Sequence, residues 1–142
     1  MLLNVSYNDP KQEKTIFDEV GGIINLRERL KIGGSGSPKL FITQASVAIN
    51  NLLLLDNNLN TCNIEIREKG IIIRFRSILE TYALIIPFYK LSIYKGSSQE
   101  YTFHKDHHFI RVAAKTKGIH NFVKKISDRK IQHLPNQNDN PN

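Results

Sequence analysis

The stretch Asn63–Lys95, NIEIREKGIIIRFRSILETYALIIPFYKLSIYK, decides how the rest of the chain is read. Two strand patterns meet at Glu68-Lys69-Gly70, and a third and fourth follow Ser77-Ile78-Leu79-Glu80. In the second, Ile71, Ile73 and Phe75 alternate with Ile72, Arg74 and Arg76. A period of two puts the first set on one strand face and the second on the other, one dry and one wetter. Proline has no N–H to give a ladder, so Pro87 marks a break between strands Tyr82–Ile86 and Leu91–Lys95.

Toward the N-terminus, Leu2–Tyr7 alternates weakly, as a short strand does. Asp9-Pro10 reads as a turn or a helix start, with Asp as cap and Pro in the first helical position. Thr15–Ile32 carries two patterns. Ile16, Val20, Ile23 and Leu30 are spaced roughly as on a helix, whereas Leu26, Glu28, Leu30 and Ile32 alternate with Arg27, Arg29 and Lys31. Gly21-Gly22 opposes a helix by about 1 kcal/mol per glycine. The favoured reading is a short helix or loop up to Glu19 and a strand over Ile23–Ile32. Gly33-Gly34-Ser35-Gly36-Ser37-Pro38 is then a flexible loop between two strands, without the Gly-Lys-Ser/Thr ending of a phosphate cradle. Lys39–Gln44 reads as a strand, Ser46–Asn50 as its continuation or neighbour, and Asp56-Asn57-Asn58 as a turn. Glu19–Arg27 (EVGGIINLR) weakly echoes Glu68–Arg76 (EKGIIIRFR), and both are read as strand–loop–strand units.

Toward the C-terminus, Gly96-Ser97-Ser98 is a turn, and Tyr101 and Phe103 alternate with Thr102 and His104. Lys105-Asp106 turns the chain again, and His108, Ile110, Val112 and Ala114 share one strand face. From Lys117 the period changes. Ile119, Phe122, Val123 and Ile126 follow the i, i+3, i+4, i+7 spacing of a helix capped by Thr116 and ending near Ile131. Lys117, Asn121, Lys124 and Asp128 gather on its far side, with Lys125 beside them. Residues 132–142 hold too little apolar surface to order themselves and read as a disordered polar tail.

About seven short strands followed by one amphipathic helix imply a mainly β fold with an α contribution. The expected form is a strongly bent sheet or split barrel plugged at one end by the helix. The central stretch resembles bacterial pleckstrin-homology-like (PH-like) domains. The similar features are the strand pair turning at Lys69-Gly70, the apolar strand entering Ile86-Pro87-Phe88-Tyr89-Lys90-Leu91-Ser92-Ile93, and the closing helix Ile119–Ile131. The resemblance covers about residues 62–131. The chain has no Trp, and Phe122 is the nearest bulky candidate for the Trp that the eukaryotic branch usually carries in that helix. The resemblance implies one PH-like domain over residues 1–131, with 1–22 as an N-terminal extension. It also implies a binding or assembly scaffold without catalysis, although one fold hosts many functions.

Length and composition agree with one domain and one core: 142 residues, 40% of them apolar. The single Cys62 excludes an internal disulfide framework. No apolar run approaches the roughly 20 residues of a membrane span. Met1-Leu2-Leu3-Asn4 lacks the basic-then-apolar signal pattern, so a soluble cytoplasmic protein is expected. The net charge is +7, and eight Lys/Arg against two Asp/Glu between Lys105 and Lys130 supply six of it. A basic end favours an anionic partner: an anionic lipid surface, nucleic acid or an acidic protein. The candidate anion-binding residues are Lys117, Lys124, Lys125, Arg129 and Lys130.

Other chemistry reads as absent. His104, Asp106, His107 and His108 cluster at a hairpin tip. Neighbouring strand residues point to opposite faces, so His107 and His108 should diverge, giving an exposed polar turn in place of a metal site. Cys62 has no basic neighbour to lower its pKa and reads as a packed residue. No Ser-His-Asp order with an elbow is present, and no carboxylate pair is set by spacing, so no enzyme and no cofactor are expected. Tyr82, Phe88, Tyr89, Tyr94, Tyr101, Phe103 and Phe109 read as core more than as stacking platforms for single strands. The expected function is a non-enzymatic binding or self-assembly module, with a protein partner or a second copy first among its partners. Self-association would use an exposed strand edge. The second reading is a small β-barrel that binds nucleic acid, from the pI near 9.6 and the interleaving at Phe88-Tyr89-Lys90 and Tyr94-Lys95.

Overall fold

The computed structural model describes residues 1–55, 60–96 and 99–133. In chain order it runs β1 (Leu2–Asn4), α1 (Pro10–Val20), α2 (Leu26–Ile32), β2 (Leu40–Ala45), α3 (Val47–Leu54), β3 (Thr61–Ile66), β4 (Gly70–Ser77) and β5 (Glu80–Pro87). It continues through a single 3-10 turn (Phe88–Lys90), β6 (Ser92–Lys95), β7 (Glu100–Lys105), β8 (His108–Ala113) and α4 (Lys117–Gln132). The break at Pro87 is as the sequence predicts: proline ends β5, and the 3-10 turn swings the chain round to β6.

All strand pairs are antiparallel, in the order β1-β5-β4-β3-β2-β8-β7-β6. The mainly β expectation with an α contribution holds. Eight strands are described where about seven were expected, and the sheet stays open instead of closing into a barrel.

β2 joins the two halves. Its Leu40 and Phe41 pair with Cys62 and Thr61 of β3. After an irregularity between Ile42 and Gln44, Gln44 and Ala45 pair with Arg111 and Ile110 of β8. Such an irregularity bends a strand and raises its twist, so the inward residues of both halves meet. Ile64, Ile73 and Leu84 share one core with Phe103, Ile110 and Val112. Ile119, Phe122, Val123 and Ile126 of α4 complete that core, and the Thr116 hydroxyl accepts the Ile119 N–H at 3.3 Å, as the cap predicts.

The alternation over Ile23–Ile32 misleads. That segment is α2, because signals at both ends outweigh the period of two. The Asn25 side chain accepts the Glu28 N–H at 2.9 Å, satisfying a donor that a helix start leaves orphaned. Gly33 closes the other end at φ 79° in the left-handed region, and the Gly34 N–H reaches the Arg29 carbonyl at 2.7 Å. Of the expected strand only an isolated bridge between Ile23 and Arg67 remains. Gly33–Pro38 therefore joins a helix to a strand. Ser46–Asn50 likewise starts a helix, α3, which turns Ile49 and Leu53 inward four residues apart. The echo between Glu19–Arg27 and Glu68–Arg76 thus encodes a helix end in one copy and a hairpin in the other. The turn expected at Asp56-Asn57-Asn58, Ser97-Ser98 and the tail from residue 134 lie outside the described residues.

The outer face of β4 is not simply wet. Ile71, Ile72 and Ile73 are all 0% exposed. α1 explains it: Val20 and Ile16, with Leu3 and Val5, close over Ile72, Ala83 and Ile85. α1 starts where Asp9 accepts the Lys11 N–H at 3.0 Å with Pro10 in the first helical position. The segment read as an N-terminal extension thus adds a strand to the sheet edge and covers part of its outer face.

Candidate functional site at the second and fourth helices

The five candidate anion-binding residues lie on α4, and packing divides them. Ile119, Phe122, Val123 and Ile126 hold one face in the core, which turns Lys117 and Lys124 into solvent. Arg129 is buried instead, with one guanidinium nitrogen 3.7 Å from the Glu28 carboxylate of α2. Lys125 donates to the Gly33 carbonyl at 3.3 Å, and its ammonium lies 5.8 Å from the centre of the Phe122 ring. Lys130 is half-buried. The five residues therefore do not share one exposed surface. Arg129 and Lys125 fasten α2 to α4, and Lys117 and Lys124 remain open.

That fastening brings a second basic element beside the first. Arg27 and Lys31 of α2 are exposed, and beside them on the helix stand Leu26, 64% exposed, and Leu30, 75% exposed. A four-residue separation stacks the two leucines on one helical face. Water-exposed leucines are ordinary one at a time; two one turn apart, with Arg27 and Lys31 alongside, form an amphipathic ridge. Sequence reasoning read Leu26 and Leu30 as the buried-side residues of a strand and so did not see them as an exposed pair. The signal was present in Asn25, Glu28 three residues on, and Gly33.

The other sequence candidates fall elsewhere. His107 and His108 do not diverge: their ring centroids are 4.2 Å apart. β8 starts at His108, so His107 belongs to the turn and strand alternation does not govern it. Burial first, and then the His107 charge, hold the His108 pKa below its ordinary value. His104 stacks on Phe109 at 5.2 Å and meets Tyr94 edge-on at 5.1 Å. Among the described residues no three His, Cys, Asp or Glu side chains are grouped to hold a metal. Phe88 and Phe103 are core, whereas Tyr89 and Tyr94 are exposed. No described helix is long and apolar enough to cross a membrane.

Cys62 is buried, and burial pushes its thiol up to about 12. Thiolate at neutral pH is then about a thousandfold rarer than for an open thiol. Labelling by Ellman's reagent is expected to be negligible in native protein at pH 8 and complete after denaturant is added. Fast native labelling would show that Cys62 is open. Comparison of the chain with protein-family models, with curated proteins and with solved structures found no match.

Proposed function

We propose that this chain is a non-enzymatic binding module with a PH-like fold, and that the α2–α4 face docks it on an anionic lipid surface. The fold reading is supported by the bent antiparallel sheet and the C-terminal helix packed into it. The docking reading rests on one observation, the exposed Leu26–Leu30 pair flanked by Arg27 and Lys31 and neighboured by α4. Phosphate attraction alone needs cations and gains nothing from leucines. A lipid surface takes both, at about 1.5–3 kcal/mol for each leucine buried fully and about 1 kcal/mol for each Lys or Arg near an anionic headgroup layer. Exposed leucines beside cations favour a lipid surface over the sequence-independent phosphate attraction of a duplex.

Co-sedimentation with vesicles of phosphatidylglycerol and phosphatidylcholine tests the reading. Binding is expected to the mixed vesicles, to weaken with salt, and to be absent with phosphatidylcholine alone. Leu26→Ser with Leu30→Ser should lower the affinity at least about tenfold, with the melting temperature nearly unchanged. Arg27→Glu with Lys31→Glu and Lys124→Glu should abolish binding. Unchanged binding by the leucine variant would overturn the lipid reading. Tight binding to oligonucleotides without binding to vesicles would favour a nucleic-acid module.

A further inference from the structure

The outer face of β3, β4 and β5 carries polar groups in register. Asn63 pairs with Arg74 and Arg74 with Ala83, while Arg76 pairs with Thr81. These side chains alternate with Ile64, Ile73 and Phe75, which point to the core, so they stand on the opposite surface. α1 closes over Ile72, Ala83 and Ile85 but not over the arginines. Beside α1 this leaves a cleft of about 580 Å³ walled by Ile16, Phe17 and Ile23, floored by Ile72 and Ala83, and edged by Arg74. A second depression of about 450 Å³ shares Arg74 and Thr81 with the first and adds Lys39, Asn63 and Arg76.

The charge there is unbalanced. Glu65 holds two guanidiniums, Arg67 at 2.7 Å and Arg74 at 2.8 Å, both largely shielded from solvent. One carboxylate cannot neutralise both. It fixes Arg74 through one terminal nitrogen and leaves the other free of any described acceptor. Arg76 and Lys39 have no acidic partner within ion-pair distance among the described residues. Asp9 and Glu13 line only the first cleft, where Asp9 is engaged in capping α1. The apolar wall and the cationic saddle are therefore adjacent but distinct.

We infer that this cleft is a ligand site for a small amphipathic anion. Its apolar body lies against Phe17 and Ile23, and its carboxylate or phosphate sits on Arg74 and Arg76. The volume falls within the roughly 300–1,000 Å³ of small-molecule sites, which are apolar with a few placed polar groups. Guanidinium forks suit carboxylate and phosphate alike. This site is separate from the α2–α4 face and does not depend on it.

Two fluorescent probes of nearly equal shape test the inference: anilinonaphthalene sulfonate, which carries one fixed negative charge, and phenylnaphthylamine, which carries none. The folded protein should bind the sulfonate saturably and the neutral probe at least about tenfold more weakly. Arg74→Met with Arg76→Met should remove that preference, and Phe17→Ser should weaken both probes. Circular dichroism and melting temperature should remain those of the parent, which excludes dye adsorbed on loosened protein. Displacement by decanoate or by decyl phosphate then tells which head group the site prefers. Leu26→Ser with Leu30→Ser should leave sulfonate binding unchanged. The inference is overturned if the arginine variant keeps the preference, if both probes bind the parent equally, or if the α2 variant alone abolishes binding.

Discussion

Phe122→Ala is expected to destabilise the protein by about 3–5 kcal/mol, the range for truncating a large buried aromatic. Phe122 is 3% exposed and belongs to the core cluster that joins both halves of the sheet to α4. The truncation leaves a cavity between elements that cannot all move inward together, and it also strips the ring from under the Lys125 ammonium. Domains of this size are stable by only about 5–15 kcal/mol, so the loss is a large share of the total. Lys124→Ala, at a solvated position on the same helix, should stay within about 0.5 kcal/mol. Urea unfolding of the two variants decides the matter. Equal and small shifts in midpoint would mean that α4 is not docked by this face.

Gly70→Ala should be at least as damaging as ordinary overpacking, about 3 kcal/mol or more. A Cβ at Gly70 would fall inside the van der Waals contact of the Ile86 carbonyl oxygen. It would also lie 2.6 Å from Val20 Cγ1 and 2.8 Å from the Pro87 Cα. Two of these three neighbours are backbone, so no rotamer change relieves the clash; β5 must shift against β4. The end of α1 must shift too, because Val20 closes the outer cluster over Ile72. Gly36→Ala meets nothing within 4 Å and should change stability by no more than about 0.5 kcal/mol. A melting temperature for Gly70→Ala equal to the parent's would disprove the close approach of these strands.

The strands from β3 onward and α4 could be read from sequence because their signals are local. Alternation, a turn glycine and Pro87 act within a few residues, and the apolar face of α4 repeats over two turns. α2 could not be read by period alone. A separation of four residues, as between Leu26 and Leu30, suits one helical face and is also an even strand step. Only the caps at Asn25 and Gly33 separate the two readings. In α3, the run Leu52-Leu53-Leu54 blurs the period, although only Leu53 of the three is fully buried.

The site was legible to the same degree. Lys117 and Lys124 face solvent as their helical positions require. The burial of Arg129 depends on Glu28, which no short-range pattern links to it. The covering of Ile72 by α1 is equally a long-range fact. A local reading saw Arg74 and Arg76 as one wet strand face and did not see the cleft beside them.

The division of β2 between two partners bears on how the chain folds. β3 to β5 and β6 to β8 are hairpin runs that form between near neighbours in sequence. Joining them requires β2 to reach β8, where Gln44 and Arg111 are in contact across 67 residues. Loop-closure entropy makes such long-range pairing costly, as it does for β1 with β5. Neither run holds a finished core before that step, since the β2 corner and α4 arrive with it. The two hairpin runs therefore do not behave as separable folding units, and cutting the chain between them should leave two fragments that are stable only in each other's company.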